Sequence, residues 1–347
     1  MLQQTVMAAA ALSLPPIAQA VSPSKRMGLT VASYGYRRRA KAAYGDLRPF
    51  RNAIDILDHS VRLGAGGVQV SVRGWQSDFA KEVRAKRESL GLYLEGQISL
   101  PKNKNDLDRF ESEIKAGREA GAEIIRTVAL GGRRYETFDT ERAFLDFKLN
   151  ALDRIRLAEP IVRKHQVKLA LENHKDWRAP ELIDILARLS SEWVGVCLDT
   201  GNSISLLEDP MDVIRTLAPY TMTIHFKDMG VEEYDEGFLL SEVPFGDGIL
   251  DLASIIELCN AANPQVQYNL EMITRDPLKV PCLTEKYWKT SPRLAGSYLA
   301  QTLRRVKKEA SKKPLPKVSG LSPEECVRYE EANIVSCFVY ARQNLIL

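Results

Sequence analysis

Residues 168–200 read KLALENHKDWRAPELIDILARLSSEWVGVCLDT. The stretch begins with a short apolar run that ends in Glu172, continues through an amphipathic segment, and returns to a second apolar run that ends in Asp199. A strand, a helix and a strand in this order predict two parallel strands joined by a right-handed crossover. This unit indicates an α/β protein.

The same alternation extends from residue 28 to about residue 310. The predicted strands are residues 28–33, 67–71, 92–99, 124–129, 168–172, 194–199, 222–226 and 267–272. Eight strand–helix units in a segment near the usual size of about 250 residues predict a (β/α)8 TIM barrel. The alternative, a doubly wound open sheet, would be favoured by a G-x-G-x-x-G turn after the first strand, and Ser33-Tyr34-Gly35-Tyr36 is not such a turn.

The two ends of the chain lie outside this repeat. Residues 1–20 contain a short alanine-rich apolar run and the sequence AQA at residues 18–20, which predicts a signal peptide and a secreted or periplasmic protein. No Lys or Arg precedes Lys25, so a cytoplasmic protein with an untargeted N-terminal arm is the alternative. The barrel is predicted over residues 28–311. Residues 312–347 are predicted as a linker and a C-terminal helix packed on the barrel, and a homo-oligomer contact stays open.

The composition is ordinary for a globular protein. Of 347 residues, 45% are hydrophobic and 27% are charged, and the net charge is +3. A nucleic-acid-binding protein normally has a larger basic excess, and a membrane span needs about eighteen or more apolar residues in a row, which this chain lacks. The five cysteines have no C-x-x-C spacing, which excludes a zinc ribbon or a thioredoxin-like motif.

Four consecutive predicted strands end in side chains that bind metals. These are Glu172 on the fifth strand, Asp199 on the sixth, His225 on the seventh and Glu271 on the eighth. TIM barrels build their active sites at this end of the strands, so the four side chains are expected to converge. Three converging carboxylates repel one another unless a cation lies between them. The pattern predicts one divalent ion, and the donor set suits Mn²⁺, Mg²⁺, Co²⁺ or Zn²⁺.

The motifs at these strand ends resemble those of a known family. They are similar to the sugar phosphate isomerase/epimerase family of xylose isomerase-like TIM barrels. The similar segments are LENH at 171–174, LDTGN at 198–202, HFKD at 225–228 and LE at 270–271. The resemblance covers roughly residues 28–311. It implies that the four strand-end residues bind one divalent ion. It also implies that Glu172 and Glu271 act as acid and base on opposite sides of the substrate.

The resemblance favours a metal-dependent isomerase or epimerase that acts on a sugar or keto-sugar through an enediolate. A metal that chelates adjacent hydroxyl and carbonyl oxygens acidifies the C–H bond between them, and carboxylates on both faces can move that proton. A lyase or dehydratase, similar to inosose dehydratases or 3-keto-glycoside lyases, needs the same groups and stays open. An AP endonuclease is disfavoured because its trinuclear zinc cluster uses several histidines. This chain has only four in total, and too few of them are expected near the strand ends. A non-catalytic sugar-binding barrel would not require paired bases.

Two residues repeat the spacing of the strand-end ligands. Lys227 lies two residues beyond His225, so strand periodicity turns it to the inward side. There it would act on a substrate carbonyl or oxyanion, as related dehydratases suggest, or pair with Asp228 or Glu172. His174 follows Glu172 at the same spacing, and it is expected either to bind substrate or to form a supporting hydrogen bond.

Three further residues are predicted to bind substrate. Asn202 stands where many relatives carry a histidine, a departure that disfavours a multinuclear metal site. Arg126, at the end of the fourth strand, would bind a polar substrate group or form an internal salt bridge. Trp177, like Trp75 and Tyr34, follows a strand and would stack on a sugar ring or pack between helices.

Overall fold

A computed structural model of the protein describes residues 26–347, so the predicted signal peptide lies outside the described residues. Eight parallel strands close into a barrel, and three antiparallel strands form a small additional sheet. The strands in chain order are β1 Met27–Thr30, β2 Gly67–Ser71, β3 Tyr93–Gln97, β4 Ile124–Thr127, β5 Lys168–Glu172, β6 Val194–Asp199, β7 Thr221–Phe226, β8 Asp228–Tyr234, β9 Gly237–Val243, β10 Gln267–Leu270 and β11 Leu278–Val280.

Helices cover the outside of the barrel. They are α1 Ala53–Leu63, α2 Ser77–Leu90, α3 Leu107–Glu119, α4 Arg134–Thr137, α5 Glu141–Lys164, α6 Ala179–Leu189, α7 Pro210–Leu217, α8 Leu252–Ala262, α9 Glu285–Trp288, α10 Gly296–Lys308 and α11 Pro323–Asn344. Local sequence explains their bounds: Asp209 caps α7 by accepting hydrogen bonds from two backbone N–H groups, and Gly64 ends α1 with a φ of 71°. Between residues 26 and 347, no helix has the length and apolar character to cross a membrane.

The strand order confirms the predicted TIM barrel. Around the barrel the strands follow the order β1-β10-β7-β6-β5-β4-β3-β2, and β10 closes the ring between β7 and β1. The first strand is shorter than predicted, because Val31–Ser33 forms a 3₁₀ turn in which the Thr30 hydroxyl accepts a hydrogen bond from the Ala32 N–H. The apolar side chains of the strands form one core cluster with those of the surrounding helices.

The antiparallel sheet was not predicted from the sequence. Strands β8 and β9 form a hairpin directly after β7, and β11 pairs with the other edge of β9. A second apolar cluster lies between this sheet and α10, and it includes Val231, Phe238 and Val306. The sequence pattern predicted a helix after every strand, so it did not predict two consecutive strands. The hairpin brings Glu242 on β9 to within 3.8 Å of the Lys227 ammonium group, which follows β7.

The predicted C-terminal helix, α11, is present and packs against the barrel. Its buried side chains in the barrel core are Ile334, Val335, Cys337, Phe338 and Ala341. Arg342 donates a hydrogen bond of 2.8 Å to the carbonyl of Leu63 at the end of α1, and the ring of Tyr340 contacts Phe245. Because α10 packs on the antiparallel sheet, α11 takes the place of the eighth outer helix beside α1.

A buried ion pair anchors α11 to the loop after β1, and its loss should destabilise the fold. Arg37 Nη1 lies 2.7 Å from Glu331 Oε2, and both side chains are at least nine-tenths buried. We expect Glu331→Gln to lower the free energy of unfolding by about 3–5 kcal/mol, because it leaves a buried guanidinium without its counterion. Glu324→Gln on the same helix removes an exposed pair with Arg328 and should cost less than about 1 kcal/mol. Denaturant unfolding of both variants checks this, and equal losses would contradict it.

Candidate active site and metal centre

The four predicted metal ligands converge at the C-terminal end of the barrel. Glu172 ends β5, Asp199 ends β6, His225 lies on β7, and Glu271 directly follows β10. The register pairs Asp199 with His225 across neighbouring strands. One candidate ligand atom from each of the four side chains lies within 4.8 Å of the others, and all four side chains are buried. The barrel therefore brings the predicted set to one point.

Hydrogen bonds below the cluster fix the orientation of His225. Gln69 Nε2 donates to Glu95, so Gln69 Oε1 is the acceptor that faces His225 Nε2 at 2.7 Å. Nε2 must then carry a proton, and the lone pair of the neutral ring is on Nδ1.

The Nδ1 atom of His225 faces two carboxylates and has no hydrogen-bond partner in the described part of the chain. It lies 3.3 Å from Glu172 Oε2 and 3.2 Å from Glu271 Oε1. A lone pair and two carboxylates repel one another unless a proton or a metal ion lies between them. Although burial opposes charge on the ring, Cys197 and the two carboxylates raise the pKa of His225 well above its ordinary value. The donor set and its geometry thus fit one divalent cation.

The carboxylate of Asp199 is also prepared for a cation. Its Oδ1 accepts hydrogen bonds from the backbone N–H groups of Gly201 and Asn202 at 2.9 and 2.8 Å. The backbone on either side is held by Asn173, which accepts from the Asp199 N–H at 2.6 Å and donates to its carbonyl. The turn after β6 therefore fixes one oxygen and leaves Oδ2 directed into the cluster.

The two glutamates are ionised and paired with cations. Arg126 forms an ion pair with Glu172 Oε2, so the salt-bridge alternative describes Arg126. Burial works against ionisation, but Arg126 and His225 hold the pKa of Glu172 at about 2. For Glu271, burial is outweighed by His225 and Lys227, and its pKa lies well below the ordinary value. Both side chains are therefore in the form that accepts a proton.

Lys227 points into the cluster, as strand periodicity predicted. Its Nζ lies 2.5 Å from Glu271 Oε2 and 2.8 Å from Asp199 Oδ2. The alternative, a pairing with Asp228 or Glu172, is wrong, since the shortest ion pairs of Lys227 are with Asp199 and Glu271. Burial would lower the pKa of Lys227, but Asp199 and Glu271 raise it above the ordinary value. The ammonium group is thus a fixed positive charge beside the predicted metal position.

Asn202 and His174 complete the wall near Glu172. Asn202 Nδ2 donates to Glu172 Oε1 at 3.1 Å, and its Oδ1 accepts a hydrogen bond from Lys175. Asn202 therefore positions Glu172. His174 is half-buried, its Nδ1 has no partner in residues 26–347, and burial lowers its pKa to about 3. His174 is therefore a neutral ring with one buried nitrogen that the described residues leave unpaired.

The predicted aromatic contacts lie in packed positions. The ring of Trp177 is fully buried, with its centroid 5.3 Å from that of Phe147 at an angle of 23° and 6.1 Å from that of Phe144. Trp177 thus packs against the side chains of α5. It does not present its ring for stacking on a sugar, so that prediction is wrong. Tyr34 is fully buried against Phe50.

The histidine inventory agrees with a single-metal site. His59 bonds to the Tyr34 hydroxyl at 2.6 Å, and His165 bonds to Glu111 at 2.7 Å, both away from the cluster. Only His174 and His225 of the chain's four histidines remain near the ligands. These two are too few for a trinuclear centre that needs several histidines.

A polar layer inside the barrel supports the ligands and was missed in the sequence. Glu95 Oε2 accepts hydrogen bonds from Gln69, Thr223 and Asn269 at 2.8–3.0 Å, and burial raises the pKa of Glu95 to about 7. The available sign of this layer was a polar residue in the interior of β2, β3, β7 and β10. Three more buried or partly buried charged residues at the mouth were also missed, namely Lys175, Glu242 and Arg275.

The contact between Gln69 and His225 leads to a prediction. We expect Gln69→Leu to weaken divalent metal binding by about 10- to 100-fold, because the imidazole loses the acceptor that directs its lone pair to the cluster. Gln97→Leu is the matched control, since Gln97 donates to the same Gln69 oxygen but does not contact the imidazole. Calorimetric titration with Mn²⁺ measures both affinities. Wild-type affinity in the Gln69 variant would refute the positioning role.

The chain is similar in sequence or in fold to several known proteins. A 3-oxo-isoapionate decarboxylase from Pectobacterium atrosepticum is 25% identical over 203 residues, which are 56% of this chain and 68% of that protein. A xylose isomerase-like TIM barrel protein from Mycobacterium smegmatis, solved in complex with magnesium, is 16% identical with a TM-score of 0.56, and the match covers 80% of this chain and 97% of that one.

A D-psicose 3-epimerase from Clostridium cellulolyticum, solved with D-tagatose, is 13% identical with a TM-score of 0.59, and the match covers 93% of this chain and all of that one. At such identities the two solved structures support the fold alone. The sequence profile of a family described as xylose isomerase-like TIM barrel matches residues 57–297. Because this match spans well over half of the chain, the protein belongs to the xylose isomerase-like TIM barrel family.

Proposed function

We propose that this protein is a divalent-metal-dependent enzyme that isomerises or epimerises a sugar or keto-sugar through an enediolate. The observation that carries the proposal is the pair of ionised glutamates, Glu172 and Glu271, which both approach Nδ1 of His225 within 3.3 Å. A binding protein has no need of two buried proton acceptors at one point. An enzyme that moves a proton between two faces of a carbon atom needs both.

The four side chains would hold the metal, and the two glutamates would move the proton. A divalent ion bound by Glu172, Asp199, His225 and Glu271 would polarise adjacent carbonyl and hydroxyl oxygens of the substrate and acidify the C–H bond between them. One glutamate then takes the proton from that carbon, which leaves the enediolate. For epimerisation, the other glutamate would first take a proton from solvent and deliver it to the opposite face of the same carbon, and the first glutamate would release the abstracted proton to solvent.

Lys227 and His174 have supporting roles in this proposal. The ammonium group of Lys227 is held within 2.8 Å of both Asp199 and Glu271, so its charge is in place before the substrate oxygen becomes negative. Such prepositioned charge stabilises an oxyanion without reorganisation. The Nδ1 of the neutral His174 ring, which has no partner within residues 26–347, would form a hydrogen bond with a substrate hydroxyl.

A lyase or decarboxylase is the second candidate. In a lyase, one glutamate would remove the proton, and the enediolate would then expel a neighbouring leaving group. In a decarboxylase, the bond to a carboxylate beside the keto group would break, carbon dioxide would leave, and a proton from solvent would complete the product. The same ligands would stabilise the anion in both cases. Two observations favour this candidate: the similarity to a 3-oxo-isoapionate decarboxylase, and the additional cations at the mouth of the barrel. The proposal of a carbohydrate substrate is supported by relatives named for sugars and sugar acids.

The reaction class is tested by incubating the metal-loaded protein with a panel of keto-sugars, 3-keto-glycosides and keto-sugar acids, with products identified by NMR. A stereoisomer or a positional isomer of the starting sugar supports the proposed function. Loss of water, an aglycone or carbon dioxide from the substrate supports the lyase instead. Conversion of none of these classes would contradict both candidates.

A further inference from the structure

A buried lysine at the mouth of the barrel forms no direct ion pair within residues 26–347. The side chain of Lys175 is only 4% exposed, and its Nζ forms a hydrogen bond to Asn202 Oδ1. No carboxylate in the described part of the chain forms an ion pair with this ammonium group, which has three protons to donate. Burial and the nearby Lys227 lower the pKa of Lys175 to about 8. Glu242 and Asp199 attract the ammonium group without pairing with it, so this buried group can donate to a further acceptor.

The position of Lys175 places this charge beside the reacting centre. Asn202 links the two, since it donates to Glu172 with Nδ2 and accepts from Lys175 with Oδ1. The backbone carbonyl of Lys175 accepts a hydrogen bond of 2.8 Å from the Arg134 N–H, so the residue is held from behind as well. The ammonium group is therefore fixed one amide side chain away from a predicted metal ligand.

The other cations at the mouth are already paired. Arg275, on the loop after β10, binds both oxygens of Glu242 on β9, at 3.1 and 2.6 Å. Arg126 is paired with Glu172, and Lys227 with Asp199 and Glu271. With Lys175, four cations face four carboxylates before any metal binds. A divalent ion adds two positive charges, so the loaded site has an excess of positive charge that favours an anionic ligand.

The surroundings favour a carboxylate over a phosphate. Phosphate sites commonly use several backbone N–H groups of a loop or a helix N-terminus. The glycine loop near this mouth is already occupied, because the N–H groups of Gly246 and Gly248 both donate to Asp228 Oδ2 at 3.0 Å. Lys175, with the partly exposed Arg275 beyond it, offers side-chain donors that match a singly charged group.

We propose that Lys175 binds a carboxylate of the substrate, so that the substrate is an acidic sugar, such as a keto-sugar acid, and not a neutral sugar. This inference rests on the proposed function, because it takes the metal cluster as the reacting centre. It assigns a specificity role to a residue outside that cluster.

The test compares sugars that differ in one charged group. Calorimetry with the Mg²⁺-loaded protein measures the affinities for 2-keto-D-gluconate and D-fructose, and for D-glucuronate and D-glucose. We expect at least one acid to bind about 10- to 100-fold more tightly than its neutral partner, the range typical of a hydrogen bond between charged groups in a buried site. Lys175→Met and Lys175→Gln should both abolish this preference and leave the affinity for the neutral sugar unchanged. Lys279→Met, on the exposed side of β11, is the matched control and should retain the preference.

Metal titration of the same proteins separates the two hypotheses. Both Lys175 variants should bind Mg²⁺ as the wild type does, which also establishes that they are folded. If the wild type binds no divalent metal, the proposed function fails. If it binds metal but no acid binds more tightly than its neutral partner, or if both Lys175 variants keep the preference, the carboxylate site is refuted.

Discussion

Glu172→Gln and Glu271→Gln should each lower turnover by about two to four orders of magnitude. A glutamine still offers an oxygen to a metal ion, but it cannot accept the proton that the mechanism moves. Steady-state kinetics with the substrate identified from the panel measures the loss. Glu232→Gln, an exposed carboxylate on β8, is the control and should be neutral. A wild-type rate in either cluster variant would contradict the assignment of both glutamates to proton transfer.

The two glutamine variants need not behave alike. In an epimerase, both changes stop product formation, but the variant that keeps the first base still exchanges the substrate hydrogen with solvent. In a lyase, one glutamate removes the proton, and the other has no second proton transfer to perform. Hydrogen exchange measured for each variant therefore separates the two candidate functions and identifies the residue that acts first.

His225→Ala and Asp199→Asn should weaken divalent metal binding by at least about tenfold, since loss of a direct ligand costs at least as much as loss of a supporting hydrogen bond. Treatment of the wild type with a chelator should abolish activity, and Mn²⁺, Co²⁺ or Mg²⁺ should restore it. His174→Ala is the control for metal binding, because His174 is near the cluster but is not one of its four ligands. Elemental analysis without bound metal, together with full activity in chelator, would contradict the metal centre.

The sequence predicted those features of the site that follow from the pattern within a single strand. Glu172 and Asp199 are the last residues of short apolar runs, and in a barrel of parallel strands this alone places them at the same end. The alternation of side chains along a strand predicted that Lys227 points inward. The partners of Lys227, however, depend on the register between neighbouring strands. Sequence alone does not provide that register, so the pairing with Asp199 and Glu271 was missed.

The unpredicted features depend on contacts between distant segments. The role of Glu242 requires the β8–β9 hairpin, which breaks the alternation of strand and helix, and its partner Arg275 lies on a loop after β10. Lys175 stands in a polar stretch of the sequence that resembles an exposed loop, and its burial follows from contacts with Asn202 and Arg134. Trp177 was equally ambiguous, because an aromatic residue after a strand suits either a ligand or the packing of α5.

The enediolate is tested most directly by running the wild-type reaction in deuterated water and examining the recovered substrate and product by NMR and mass spectrometry. If the ionised carboxylates of Glu172 and Glu271 move a proton at the carbon next to the carbonyl, deuterium from the solvent appears at that carbon. Complete turnover without deuterium in either substrate or product would exclude the enediolate and point to a hydride shift or to hydrolysis.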